Sequence, residues 1–317
     1  MTEPAPDATA VVFPGMGPHQ YSDVARFMLV DRHARELCRT ADDVLGYRLT
    51  DRYRDSDDPY SEYAQVAFLV NCLALARLAE EQHGVDPIAC TGASFGEKTV
   101  AAYTGALTVA DAIDMTARTA RCVAEYFRTA HQDVVTHSFL RTPKARLAEL
   151  LAELDGRGEW YEVSCELDED FHMVSLREPA VAEFSRAIRA GSGMSLYTMR
   201  PPMHAAAFAG LRERIEEEVI GGLEFADPRV PVVSDQDGSP LTGGEEIRTL
   251  LLDGFVRALR WPSAVDGLAA LGVGKVCVAG PDSLFGRVGT TTRRFEVLAM
   301  TPQAALRPRA AARVPAG

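Results

Sequence analysis

A chain of 317 residues with 47% hydrophobic side chains can bury the core of one large domain, or of a domain carrying a smaller insert. Its formal net charge of −12 excludes general affinity for nucleic acid or an anionic membrane, although a local basic groove remains compatible with it. No apolar run approaches the roughly 20 residues that span a bilayer, and the acidic start MTEPAPDATA lacks the basic and apolar regions of a signal peptide, so a cytoplasmic location is expected.

Strand and helix signals alternate along the chain. Ala10 to Phe13 is a short apolar run stopped by Pro14-Gly15, the pattern of a buried strand ending in a tight turn. Tyr63 to Glu81, rich in Ala, Leu and Val at helical spacing, predicts a long, mostly buried helix. Ile88 to Thr91 is a second short strand, followed by a glycine-bracketed turn and a helix from Glu97. The middle of the chain changes rhythm. Val134–Phe139, Tyr161–Glu166, Phe171–Leu176 and Ser195–Met199 have strand character, with helices predicted over Pro143–Leu154 and Pro179–Ala190. That βαββαβ order is the split arrangement of ferredoxin-like units. Further strands at Val230–Val233 and Val276–Val278 flank a helix over Ala264–Leu271. The fold class that follows is α/β, a hydrolase-like large subdomain (residues 1–129 and 201–317) with a central, mainly parallel sheet and an inserted ferredoxin-like small subdomain (residues 130–200). Six scattered cysteines without CxxC pairs predict small core side chains in a reducing compartment and no metal site.

The chemistry centres on Gly92-Ala93-Ser94-Phe95-Gly96, which fits the G-x-S-x-G elbow. The glycines let the backbone turn sharply, and the following helix points its positive end at the serine. A structural turn with a serine N-cap gives the same five residues, so the elbow alone decides little. Other motifs stand with it. Phe13-Pro14-Gly15-Met16-Gly17 with His19-Gln20 resembles the FPGQGSQ turn of malonyl-CoA:acyl-carrier-protein transacylases and polyketide synthase acyltransferase domains, and GASFGE resembles their GHSLGE. Tyr63-Ala64-Gln65-Val66-Ala67 stands at the family's TQPA-type helix start, and Pro201-Pro202-Met203-His204 at its histidine motif, 110 residues after Ser94. Leu259-Arg260-Trp261 and Ala279-Gly280-Pro281 match two later elements, so the resemblance runs in order over nearly the whole chain.

The resemblance implies a Ser94 nucleophile, a His204 base, and an oxyanion hole from the backbone N–H groups of Met16 and Phe95. It also implies that the backbone carbonyl of Arg260 orients the histidine. Malonyl-type enzymes hold the substrate carboxylate with an arginine 25 residues after the serine. Here Thr119 stands at that place with Arg118 one residue early, about 100° away around a helix, and a hydroxyl cannot make the bidentate pair. A one-residue shift would restore Arg118. The histidine tetrapeptide, with Pro202 and Met203 before His204, also departs from HAFH or YASH. Thr119, Arg118, Pro202 and Met203 are therefore the expected pocket residues, and the acyl group is expected to lack a carboxylate.

Among family branches the chain is similar to the stand-alone acyltransferases of macrolactam polyketide pathways, of the vicenistatin dipeptidyl type. The implied function is transfer of an aminoacyl or dipeptidyl starter between acyl carrier proteins, the acceptor on a polyketide synthase loading domain. No cofactor is bound; the substrate arrives on the carrier's phosphopantetheine arm, and neither nucleic acid nor membrane is a partner. Carrier proteins are acidic, which points to Arg141, Lys144, Arg287 and Arg293, with Met194 as an apolar contact, for docking. Malonyl transfer, carrier-protein thioester hydrolysis and a catalytically silent docking module are the rivals. A hydrolase triad places its acid between serine and histidine in chain order, which His204 and its long continuation fit poorly.

Overall fold

The computed structural model describes residues 8–282 and 284–307. Its first sheet contains β1 (Thr9–Phe13), β2 (Pro87–Gly92), β7 (Val232–Val233), β8 (Pro240–Leu241), β10 (Lys275–Ala279) and β11 (Glu296–Met300), in the order β11-β10-β1-β2-β7-β8. All neighbours pair in parallel except β7 and β8. The central strands are short apolar runs because both faces are covered by helices, which leaves no solvated face for polar residues. Helix Glu62–His83 crosses one face. By length and composition it is apolar enough to cross a membrane, contrary to the sequence expectation, yet most of it is buried against the sheet and its neighbouring helices.

The second sheet contains β3 (Val134–Leu140), β4 (Tyr161–Asp168), β5 (Phe171–Arg177), β6 (Met194–Met199) and β9 (Leu259–Arg260), in the order β6-β3-β5-β4-β9. The first four pair antiparallel in the ferredoxin-like order, with helices Lys144–Gly156 and Glu178–Ala190 packed on one face over Val135, Phe139, Val174 and Leu176. The fifth strand returns from the other part of the chain and pairs in parallel with β4, Cys165 opposite Leu259 and Glu166 opposite Arg260. The small sheet is thus tied to the large one beyond its two connecting segments. Trp261, fully buried directly after β9, secures that tie: its Nε1 donates to Thr291 Oγ1 at 2.8 Å, and its ring meets Phe285 edge-on at 4.9 Å.

The sequence pattern misses several elements. Helices Tyr21–Val30, Arg32–Leu45 and Leu49–Arg54 pack beside Glu62–His83, and Gly244–Asp253 lies against the helix that follows Ser94, Gly96–Tyr103. The strand predicted over Val230–Val233 shrinks to two residues, because only Val232 and Val233 find partners on β2.

Candidate active site

The carboxyl ends of adjacent strands β1, β2 and β7 deliver Met16, Ser94 and Asp235 to one place, the usual location for ligands in open parallel sheets. Between β2 and helix Gly96–Tyr103 the chain turns too tightly for side chains. A Cβ on Gly92 would lie 2.2 Å from the backbone of Gly96, and one on Gly96 would lie 2.2 Å from the carbonyl oxygen of Phe13. This compression puts Ser94 in the left-handed region at φ 51°, where a non-glycine residue is strained.

His204 follows β6 on the segment that returns from the small sheet and also has a positive φ, 62°. Its Nε2 lies 2.7 Å from Ser94 Oγ. The ring is buried, which holds its pKa below the ordinary value; the charge of Asp235 and the carbonyls of Gly254 and Arg257 act in the opposite direction. A neutral imidazole, able to accept the serine proton, therefore prevails around neutrality. Arg260 does not orient it. Nδ1 has no hydrogen-bond partner among the described residues, and the carbonyls acting on the ring belong to Gly254 and Arg257. Pairing of Arg260 with Glu166 across β9 and β4 fixes that residue at the sheet edge instead.

The backbone N–H groups of Met16 and Phe95 make no hydrogen bond among the described residues, so both remain available at the serine. That of Ser94 is taken: it donates to Asp235 Oδ2 at 2.7 Å. Asp235 in turn meets Glu97, and both carboxyls are buried. Burial and the neighbouring Asp235 charge push the Glu97 pKa well up; burial raises that of Asp235 too, against the pull of its hydrogen bonds from Glu97 and the Ser94 N–H, so the proton of the pair sits on Glu97, which donates to Asp235. Gln236 Nε2 lies 3.4 Å from Glu97 Oε1. No motif marks this pair. Its signal was an acidic residue two positions after the strand that pairs with β2.

Two cavities meet at Ser94 and His204. One is lined by Tyr60, Gln65, Lys98, Val123, Met203 and Phe255 among others. The other runs past Gly17, Leu167, Tyr197, Pro281 and Phe285. Met203 lines the first as expected, but Pro202 lines an adjoining surface cleft. Neither Arg118 nor Thr119 lines either cavity. On helix Val109–Thr129, Arg118 turns outward to Asp114, one turn back, and to the carbonyl of Glu218, whereas Thr119 is buried in the core one turn before Val123. The expected basic rim also thins. Lys144 pairs with Glu166 at 2.8 Å and Arg293 with Asp168 at 3.0 Å, while Arg141 and Arg287 are exposed with no ion pair among the described residues. Met194 is exposed beside Leu196 and Tyr197 on edge strand β6. Among the described residues no cluster of His, Cys, Asp and Glu could hold a metal ion.

Comparison with known proteins agrees with this architecture. Residues 138–199 match the family described as the VinK acyltransferase small domain. The chain is 24% identical over 293 residues to the malonyl CoA-acyl carrier protein transacylase of Escherichia coli K12, covering 91% of this chain and 93% of that one. Similar folds include a malonyl-transacylase solved with its type II PKS acyl-carrier protein (TM-score 0.83, 21% identity, 95% of this chain and 98% of that). Another is FabD from Acinetobacter baumannii (TM-score 0.81, 18% identity, 95% and 99%). The chain thus has the fold of malonyl transacylases. Its sequence is similar to those of carrier-protein transacylases, and residues 138–199 are similar to the VinK acyltransferase small domain.

Proposed function

We propose that the chain moves an acyl group from one acyl carrier protein to another through an ester on Ser94. The observation that carries this reading is the 2.7 Å contact between Ser94 Oγ and His204 Nε2 where two cavities meet, which leaves one for the acyl group and one leading to it for a phosphopantetheine arm. Ser94 Oγ attacks the thioester carbonyl as His204 Nε2 takes its proton, and the oxyanion forms against the N–H groups of Met16 and Phe95. Collapse expels the donor thiolate, which leaves with the proton from His204. The acceptor thiol then gives its proton to the same nitrogen, attacks the ester and regenerates Ser94. Losing one oxyanion donor typically costs about 2.7–4 kcal/mol of barrier. No cofactor enters; both thiols belong to the carriers' arms. A cytoplasmic location is part of the proposal, supported by six buried, unpaired cysteines.

The acyl group we propose is an aminoacyl or dipeptidyl starter for macrolactam polyketide assembly. Support comes from Thr119 in the core, Arg118 turned outward, and the VinK-type small subdomain. Malonyl transfer is the second reading, favoured by the Escherichia coli relative. Hydrolysis is less well supported, since among the described residues no carboxylate bonds to His204 Nδ1. The test incubates a dipeptidyl-carrier with enzyme and a second, empty carrier. Appearance of the dipeptidyl group on the second carrier supports the proposal, and free acid alone would replace it with a thioesterase.

A further inference from the structure

Lys98 is a cation at the acyl cavity that makes no ion pair among the described residues. It lies in the first turn of helix Gly96–Tyr103, four residues after Ser94 in the turn that precedes the helix, and both side chains line the cavity. Its Nζ lies 4.6 Å from the centroid of the Phe95 ring, and the side chain lines the cavity with Tyr60, Gln65, Met203 and Phe255. No hydrogen bond or ion pair engages Nζ among the described residues. Glu97, its neighbour in sequence, also lines the cavity and acts on the amine through its charge, but it bonds to Gln236 and Asp235. Burial lowers the Lys98 amine to about 8, so the group still carries its proton for much of the time at neutral pH. A lysine ammonium is strongly hydrated and is costly to hold beside apolar walls without an acceptor. Met16, Val123, Met203, Leu251 and Phe255 supply none from their side chains.

We propose that Lys98 reads the acyl group: its ammonium donates to an acceptor oxygen on the acyl chain, a carboxylate or an amide carbonyl, and takes over the polar recognition that Thr119 cannot provide. The inference rests on the reading of Ser94 as the acylated nucleophile and narrows its substrate class. A dipeptidyl group offers an amide carbonyl and a malonyl group a carboxylate. A plain alkyl chain offers neither, and a free ammonium beside Nζ would be repelled.

The test measures the rate of Ser94 acylation by intact mass, using malonyl, dipeptidyl and butyryl groups on one carrier, for wild type and K98M. The expected result is that K98M lowers the ratio of acceptor-bearing to butyryl acylation about tenfold or more, the usual worth of a hydrogen bond to a charged group. In wild type, preference for dipeptidyl or for malonyl over butyryl supports the proposal and names the oxygen's source. An equal ratio in wild type and K98M, or a wild type that favours butyryl, would overturn it. Circular dichroism checks the fold; should K98M not fold, K98Q, uncharged and of similar reach, repeats the comparison. No adduct from any donor, in wild type as well as variant, would instead overturn the acyl-enzyme reading itself.

Discussion

Ser94 and His204 are both held at positive φ, a strain that tight packing at the elbow and around the returning segment must sustain. The protonation state of His204 follows from burial. Because burial depresses the His204 pKa, the imidazole is the active neutral base down to pH values under its ordinary 6.5. The acid limb of the pH profile of acylation should therefore have its midpoint below 6.5, and D235N, which removes a charge that raises this pKa, should move it lower still. A midpoint at or above 6.5 would contradict the assignment. Glu97 and Asp235 make a second prediction. Glutamine reproduces the shape and donor of a protonated acid, so E97Q should keep the wild-type Tm at neutral pH. D235A strands the Ser94 N–H and the Glu97 proton, at about 1–3 kcal/mol for a buried donor left unpaired, and should lower Tm. Equal damage from E97Q would mean that Glu97 is ionised.

Among the elements, the small sheet carries a titrating weak point. His137 on β3 is buried between Thr198, Ser195 and Ser185, and burial lowers its pKa from 6.5 to about 4. The folded state resists protonating it, whereas the unfolded chain binds a proton below about 6.5. Stability is thus full above that value and falls as pH drops toward 4, by on the order of 3 kcal/mol over the window. Near-ultraviolet circular dichroism of H137N against wild type, titrated from pH 7 to 4, should show a smaller acid loss in the variant; identical curves would contradict it. The elements of this sheet were legible in the sequence because each strand and helix carries its own periodicity. What joins it to the large sheet was not, since β9 is two residues long and pairs only through its backbone. The elbow and His204 were legible for a similar reason, as glycines and spacing mark them locally. The partners of His204, the outward turn of Arg118 and the pocket role of Lys98 were not. They depend on helix rotation and on loops meeting across the sheet, and Arg260 sat in the right motif with the wrong neighbours.

For the whole molecule, the active centre lies where the ends of the large sheet face the small one, and exposed Arg141 and Arg287 flank the chain segments leading there. Their charges, unlike those of Lys144 and Arg293, are not spent on neighbouring carboxylates. With an acidic carrier as partner, R141A and R287A should slow transfer between carriers at low salt and differ little from wild type at high salt, because rim charges act mainly on association. A salt-independent loss would place these residues elsewhere in the mechanism. All of this presupposes that Ser94 takes up an acyl group that is not malonyl. Intact-mass spectrometry of wild type and S94A, each exposed to dipeptidyl-carrier and separately to malonyl-CoA, asks that directly. The expected result is a dipeptidyl adduct on wild type, absent from S94A, with little malonyl adduct; a malonyl adduct alone, or an adduct that survives in S94A, would contradict it.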